Sequence, residues 1–162
     1  MKKDRKNIIL QSLASMLEER NLSKITTASL AEKSKITEAA LYRHFPSKRS
    51  IYAELFSFCD DSIFSKCNEI KKSKLSSKEK VKNAFMFFMF FIEKNKGFAR
   101  LLSREALSSD EQNVSDSVNQ FYERFELVLR FEGNTESDLH AIKDMFLNEL
   151  SRICPDIDIN LD

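Results

Sequence analysis

The side chains best suited to chemistry lie close together between positions 37 and 48. Tyr42, Arg43, His44 and Lys48 bring hydrogen-bond donors and positive charge into one short segment. An arginine can donate in a fork to guanine or to phosphate, and the other three are donors suited to phosphate oxygens. The segment therefore predicts recognition of a polyanion. Each residue also has a plainer interpretation: Tyr42 could pack, His44 could bond a nearby carbonyl, and Lys48 could be solvated.

Small and hydroxylated neighbours complete the expected contact surface. Ala39 is small enough to let a helix enter a DNA groove, where its methyl group can touch a thymine methyl. Basic residues at the N-terminus (Lys2, Lys3, Arg5 and Lys6) could form a flexible arm on the DNA backbone. The full set of expected DNA contacts is Thr26, Thr27, Thr37, Glu38, Ala39, Ala40, Tyr42, Arg43, His44 and Lys48.

Two short helices joined by a tight turn must position these residues. Thr26 and Thr37 are hydroxyl residues suited to capping helix N-termini, and Ser47 is a third. They predict a second helix ending near Ser34, a turn at Lys35–Ile36, a third helix ending at Phe45-Pro46, and a fourth helix to about Ile70. This arrangement is typical of a helix-turn-helix DNA reader. The apolar positions expected to form its core are Leu30, Ala31, Ile36, Ala40, Leu41 and Phe45.

The rest of the chain also predicts helices, because its 162 residues include only two Gly and two Pro. The expected helices cover about Asp4–Glu19, Val81–Asn95, Phe98–Leu107, Asp110–Phe131 and, capped by Thr135, a segment to Ile153. Between them we expect a Lys/Ser-rich connector at Lys71–Lys80, a turn at Glu132-Gly133-Asn134 and a disordered tail at Asp156–Asp162. The predicted fold is all-α, with a DNA-binding head (residues 1–50), a helical regulatory and dimerisation body (51–155) and a tail (156–162).

Charge is divided unevenly along the chain. Residues 1–52 contain 11 Lys and Arg against 5 Asp and Glu, whereas residues 53–162 contain 15 against 20. A basic head on an acidic body favours polyanion binding by the head alone, although chance clustering of solvated charges would look the same.

Other functional classes find little support in the sequence. With two histidines, no nucleophile elbow and no phosphate-cradling Gly loop, we expect neither an enzyme nor a metal or cofactor site. Cys59, Cys67 and Cys154 lack metal spacing and are expected as free thiols in a reducing cytoplasm. The charged N-terminus predicts no signal peptide, and the longest apolar run, the nine residues Ala84–Ile92, is far short of the roughly 20 needed to span a bilayer.

The segment from Thr26 through Leu30-Ala31 to Leu41–Lys48 resembles the DNA-binding domain of TetR-type regulators. The likeness is closer to the nucleoid occlusion factors within that family, especially in Ile9–Ala14, Met16–Glu18, Ile25–Ala28 and Glu38–Lys48. It is strong over residues 8–66 and weaker to about residue 131.

The resemblance implies a homodimer on a short palindromic DNA site, associated with the nucleoid, that antagonises the division protein FtsZ. It also implies a partner surface formed by Phe58, Lys66, Phe87, Lys94 and Asn95. Lys66 and Lys94 stand where the family has arginine, and Phe87 stands where it has leucine. From the sequence alone, Phe58 fits a core position better than a partner contact.

Three departures from the family pattern bear on function. Lys35 occupies a turn position usually held by glycine, so it is expected to adopt a left-handed backbone. The aromatic and methionine run Phe85–Phe91 replaces a Leu/Gly-rich segment. The chain ends some thirty residues early, so dimerisation is expected to rest on the helix at about 135–153 or on a swapped element.

Two alternative functions follow from particular segments. The run Phe85–Phe91 could line a pocket for an apolar ligand, which would make the protein an ordinary TetR-type repressor released by that ligand. Filling of the core and dimer seam is the competing interpretation, since bulky groups all round a helix leave little open space. A group of lysines could touch DNA or an anionic membrane surface, although a solvated connector explains them better: Lys71, Lys72, Lys74, Lys78, Lys80 and Lys82.

Overall fold

The computed structural model of the chain describes residues 2–19, 22, 25–130 and 135–155. Within these residues every regular element is helical, which confirms the all-α prediction. The helices are α1 Lys2–Glu18, α2 Thr27–Lys33, α3 Glu38–His44, α4 Lys48–Lys72, α5 Ser77–Lys94, α6 Lys96–Leu102, α7 Gln112–Leu129 and α8 Glu136–Ile153. A 3-10 turn, Ser109–Glu111, precedes α7. The turn expected at 132–134 and the tail expected at 156–162 lie outside the described residues.

Hydroxyl caps set the starts of the helices around the turn, as their sequence predicts. The side chains of Thr26, Thr37 and Ser47 each accept a hydrogen bond from the backbone N–H three residues further on. Such a bond satisfies one of the four N–H groups that a helix leaves unpaired at its N-terminus. Thr135 caps α8 in the same way, and α8 ends at Ile153 as expected.

The turn between α2 and α3 has a left-handed residue. Lys35 has φ of 54°, a backbone region that is favourable for glycine and costs other residues about 1 kcal/mol. The N–H groups of Lys35 and Ile36 nevertheless bond to Glu32 O and Ala31 O, at 2.9 and 3.0 Å, so these two backbone donors of the turn remain paired. The predicted strain at Lys35 is confirmed.

Two predicted boundaries in the body are wrong. The connector expected at Lys71–Lys80 is helical over most of its length, because α4 continues to Lys72 and α5 begins at Ser77. Ser76 and Glu79 form a reciprocal capping box that starts α5 earlier than the apolar pattern suggests. The helix expected at Phe98–Leu107 ends at Leu102, and Arg104 two residues later adopts φ of 61°.

Aromatic rings fill the centre of the body. Phe88 of α5 is fully buried, and its ring centroid lies 4.4 Å from Phe125, 5.2 Å from Phe146 and 5.5 Å from Phe121. The core is continuous with that of the head, where Leu13, Leu17, Leu30 and Leu41 are completely buried. Edge-to-face and tilted ring pairs of this kind favour one arrangement of α5, α7 and α8.

The three cysteines are buried and unpaired. Burial raises the pKa of the Cys59 thiol to about 12 and those of Cys67 and Cys154 to about 11. They are therefore protonated at neutral pH and behave as small apolar groups. Among the described residues no three His, Cys, Asp or Glu side chains gather into a metal-binding group, and none of the described helices has the length and apolar character needed to cross a bilayer.

Helix α6 lies directly against α1 and joins the head to the body. At Gly97 the backbones approach so closely that a Cβ atom there would lie 2.8 Å from Ala14 O and 3.0 Å from Leu17 Cβ. Three residues along α6, the buried Arg100 donates through one guanidinium nitrogen to the carbonyl oxygens of Leu17, at 2.7 Å, and Glu19. These carbonyls lie at the C-terminal end of α1, where a helix has no internal donors for them.

We expect Gly97→Ala to destabilise the whole protein. The new methyl group would collide with backbone rather than with the end of a flexible side chain, so α1 and α6 must separate. The expected loss in the free energy of unfolding is about 1 to 3 kcal/mol, as for other overpacked cores, measured by chemical denaturation. Lys96→Ala, at the exposed neighbouring position, is the control and should change stability by less than about 0.5 kcal/mol.

Candidate nucleic-acid interface

Helix α3 presents one polar face and buries the other. Thr37, Glu38, Ala39 and Arg43 are exposed, and Tyr42 retains 48% of its accessible surface. On the opposite face and at the end of the helix lie the apolar residues that hold it against α2 and the core of the head: Ala40, Leu41 and Phe45. The seven-residue helix is thus fixed from behind, which leaves its outer face available to a ligand.

Ala40 is the least accessible of the expected DNA contacts on α3. Ala40 is only 8% exposed and its N–H bonds to Thr37 Oγ1 at 3.1 Å, so neither its methyl group nor its amide is available to DNA. The same burial confirms its assignment to the core of the head. Among the other core positions, Leu30, Ala31, Leu41 and Phe45 are buried, and Ile36 is partly buried.

A chain of hydroxyl groups joins α2 to α3 on the outer face. Thr27 Oγ1 donates to Glu38 Oε2 at 3.1 Å, and the Tyr42 hydroxyl donates to Thr27 Oγ1 at 3.5 Å. The second bond is at the outer limit of hydrogen bonding, so the tyrosine hydroxyl can turn to another acceptor. Glu38 is negative on a face expected to meet phosphate, and its bond to Thr27 orients the two helices.

Arg43 and His44 differ in the exposure of their side chains. Arg43 is exposed and, within the part of the chain that the structure describes, has no hydrogen-bond or ion-pair partner. His44 is half-buried at the end of α3. Thr26 is exposed, but its hydroxyl already serves as the cap of α2, accepting from Ser29 N at 3.1 Å. Arg43 is therefore the side chain best placed to read a base edge.

Two lysines expected at the DNA backbone form ion pairs with residues of the body in this structure. Lys48 is 34% exposed, and its ammonium lies 3.7 Å from Glu111 Oε1. Lys6 Nζ lies 3.1 and 3.3 Å from the two carboxylate oxygens of Glu54 and 4.9 Å from the centre of the Phe45 ring. The flexible N-terminal arm is also wrong, because α1 is helical from Lys2 onwards.

Phe58 is on the surface, contrary to its expected core position. It retains 65% of its accessible area, midway along α4. With Asn95, which is half-buried, it lines an open groove of about 290 Å³ between α1, α4 and α6. Asn95 Nδ2 donates to Phe91 O at 2.7 Å, which fixes its side chain at the junction of α5 and α6.

A second groove, of about 550 Å³, lies between α4 and α5. Lys66 and Phe87 line it, together with Phe90, which is 57% exposed. Lys94 lies over the Phe90 ring, with its ammonium 5.6 Å from the ring centre. All five expected partner residues therefore line these two grooves or their edge, and exposed aromatic rings alternate there with lysines.

The run Phe85–Phe91 does not line a single pocket. Phe88 is fully buried, Met86 and Phe90 are each 57% exposed, and Phe85 alone of the seven borders a groove between α7 and α8. A helix with bulky groups all round it sends them into different environments. Their placement therefore does not support the alternative of one ligand pocket lined by all seven residues.

The groove between α7 and α8 is the largest of the three, at about 800 Å³. Its floor is apolar, with Phe125, Leu129 and Ile142 among its residues. On the outer sides of the same helices, Leu127 is 68% exposed and Met145 is 59% exposed. This pair of helices thus leaves large apolar side chains uncovered.

Comparisons with known proteins agree with this architecture. Residues 9–55, which contain the helix-turn-helix, match the family described as bacterial regulatory proteins, tetR family. The head therefore carries a DNA-binding domain of the TetR type.

Among curated proteins, it is 38% identical over 130 residues to the nucleoid occlusion factor SlmA of Vibrio vulnificus and 39% identical over 128 residues to that of Vibrio cholerae. The alignments cover 80% and 78% of this chain, but only 66% and 65% of those relatives.

Solved structures share the fold at lower sequence identity. A TetR transcriptional regulator from Legionella pneumophila superposes with a TM-score of 0.68 at 19% identity, covering 91% of this chain and 83% of that one. A TetR-like transcriptional regulator from Rhodococcus sp. RHA1 also gives 0.68, at 18% identity, covering 92% and 81%. The head and the helices of the body are therefore arranged as in TetR-type regulators.

Two residues that organise the site have no local signature in the sequence. Glu111, the partner of Lys48, is 63 positions away along the chain and stands in a short polar segment. Arg100, which bonds the end of α1, looks in the sequence like any basic residue near a helix C-terminus. A buried charge that pairs across elements becomes visible only once the fold is known.

Proposed function

We propose that the protein is a sequence-specific DNA-binding protein that acts as a nucleoid occlusion factor and antagonises FtsZ assembly over the chromosome. The observation that carries the proposal is a pair of separate surfaces: the exposed face of α3 and the aromatic, lysine-edged grooves of α4 and α5. Both lie within the segment that aligns with the SlmA relatives.

The DNA-binding role follows from the geometry of α3. Arg43 would donate to a guanine or a phosphate, Ala39 would lie against base edges, and Thr37 and Tyr42 would bond backbone oxygens. Thr26, Thr27, Glu38 and His44 surround them and orient the helix. Binding of this kind weakens steeply with salt, because each neutralised phosphate releases condensed counterions.

The chemistry of the two grooves supports the partner role. Phe58 and Phe87 offer apolar rings, Lys66 and Lys94 offer positive charge, and Asn95 offers an amide at the point where the grooves approach α6. A protein segment with acidic and apolar side chains would be complementary to them. We assign FtsZ to this surface, and the protein would act in the cytoplasm at the nucleoid.

A homodimer is proposed through α7 and α8. Leu127 and Met145 are uncovered apolar side chains, and the groove between these helices has an apolar floor. Two copies meeting there would bury this surface and place two heads on one palindromic site. The expected contact through the helix at 135–153 therefore remains a proposal that the exposed residues support.

Lys94→Glu tests the partner surface. We expect it to leave duplex binding unchanged and to raise by about tenfold the protein concentration needed to disassemble FtsZ polymers, since it reverses a charge beside the exposed Phe90 ring. Light scattering by FtsZ polymers, with and without a duplex selected by the protein from random sequence, is the measurement. Wild-type protein should act on the polymers more strongly when the duplex is present.

Lys82→Glu is the matched control, with the same charge reversal on the same helix outside the five partner residues. If both variants disassemble FtsZ as wild type does, the assignment of this surface fails. If wild-type protein binds duplex but never affects FtsZ, the nucleoid occlusion role fails, while the DNA-binding role stands.

A further inference from the structure

The ammonium group of Lys48 has two possible acceptors, the Glu111 carboxylate of the body and a phosphate of bound DNA. Its Nζ lies 3.7 Å from Glu111 Oε1 and 5.2 Å from the centre of the Tyr52 ring, so the side chain is turned towards the body. It is nevertheless the first residue of α4, immediately after the α3 segment expected to meet DNA, and 34% of its side chain remains exposed. A lysine with four rotatable bonds can reach either acceptor.

Glu111 is fixed in place and almost fully buried. Only 2% of its side chain is accessible. Its Oε2 accepts from Ser108 N at 2.9 Å and from the Ser108 hydroxyl, in the capping box of the 3-10 turn. Oε1 is left to face Lys48. A buried carboxylate with one oxygen so engaged needs a nearby cation, because an unpaired buried charge is unfavourable.

The negative charge of Glu111 also affects the neighbouring Tyr52. Tyr52, which is 1% exposed, has its pKa raised first by burial and second by the Glu111 carboxylate. The phenol therefore stays neutral and its ring face remains available to the ammonium of Lys48. Glu111 and Tyr52 together make a second binding place for that ammonium within the body.

We propose that Glu111 competes with DNA phosphate for Lys48 and so lowers the affinity of the head for duplex DNA. The inference rests on the DNA-binding role proposed above and adds a residue outside the matched segment 9–55 that sets its strength. When a phosphate takes Lys48, Glu111 loses its cation. The Lys48–Glu111 pair weakens DNA binding by some factor. Any change in the body that withdraws or neutralises Glu111 strengthens DNA binding by that same factor.

Glu111→Gln is the direct test, because glutamine can keep the bonds to Ser108 while the charge is removed. We expect duplex affinity to rise by about fivefold, which corresponds to release from a partly exposed ion pair. The logarithm of affinity plotted against the logarithm of salt concentration should also become steeper by about 0.9 per protomer, since Lys48 then makes a full phosphate contact. Fluorescence anisotropy with a selected duplex at several salt concentrations measures both quantities.

Asp110→Asn is the matched control. Asp110 precedes Glu111, is exposed and has the same charge, so it reports the general effect of removing a negative charge here. Its expected change in affinity is less than about twofold. In a Lys48→Ala background, Glu111→Gln should no longer increase the affinity or the salt slope. Thermal unfolding of each variant shows whether the 3-10 turn is intact.

Three results would overturn the inference: equal effects of Glu111→Gln and Asp110→Asn, a decrease in affinity with Glu111→Gln in a folded protein, or the same gain with and without Lys48. Absence of duplex binding by every variant, wild type included, would instead remove the DNA-binding role itself. The two failures are therefore distinguishable in one set of titrations.

Discussion

Arg43→Ala is expected to lower the affinity for a selected duplex by about 10- to 100-fold, the range that a bidentate base contact contributes. Arg43 is exposed on α3 and has no partner among the described residues, so its removal leaves no buried group unsatisfied. Stability should therefore be unchanged, and the loss should appear only in binding. Anisotropy titration at low salt measures the affinity, and selection of bound sequences should show relaxed preference at one position of each half-site.

Lys33→Ala is the control for loss of one positive charge from the head. Lys33 ends α2, pairs with Glu19 at 2.7 Å and is not among the expected DNA contacts. Its removal should weaken duplex binding by less than about fivefold and leave sequence preference intact. Equal losses for the two variants would mean that Arg43 contributes charge alone and reads no base.

Arg100→Met is expected to reduce the free energy of unfolding by about 3 kcal/mol. Methionine can fill the same volume, but it leaves the carbonyl oxygens of Leu17 and Glu19 without their donor. It also removes the cation that lies 3.6 Å from Glu105 Oε2, an oxygen that already has no hydrogen-bond partner. Breaking a buried charged contact by deleting one member commonly costs about 3 to 5 kcal/mol.

Chemical denaturation followed by circular dichroism measures the change, and Arg124→Met provides the comparison. Arg124 pairs with Asp60 at 2.8 Å between α7 and α4, but half of its side chain is exposed, so water screens the pair. Its loss should cost about 1 kcal/mol or less. A small effect at Arg100 as well would show that the end of α1 is held by packing rather than by the guanidinium group.

The head could be predicted from sequence because its signals are local. Thr26, Thr37 and Ser47 lie at their helix starts with a short spacing, and each forms the expected cap. The alternation of apolar and polar residues then decides which face of α3 is buried. Lys35 could be recognised as strained because it stands at a turn position where the family that the head resembles usually has glycine.

The body was less predictable because its determinants are distant in sequence. An exposed Phe58 contradicts the ordinary tendency of phenylalanine to be buried, and only the packing of α1, α4 and α6 explains it. The run Phe85–Phe91 has no periodicity in hydrophobicity, so its division into inner and outer faces could not be derived. The lysine-rich start of α5 could not be predicted from apolar periodicity either, because a capping box determines where that helix begins.

The contact between α1 and α6 has a consequence for anyone who wishes to isolate the DNA reader. Cutting the chain after the head would strip Ala14 and Leu17 of the surface they pack on and leave the last carbonyls of α1 facing water. Such a fragment would lack the part of its hydrophobic core that α6 contributes. The smallest piece that folds cooperatively thus extends at least through α6, and changes of stability in the body are transmitted to the reader.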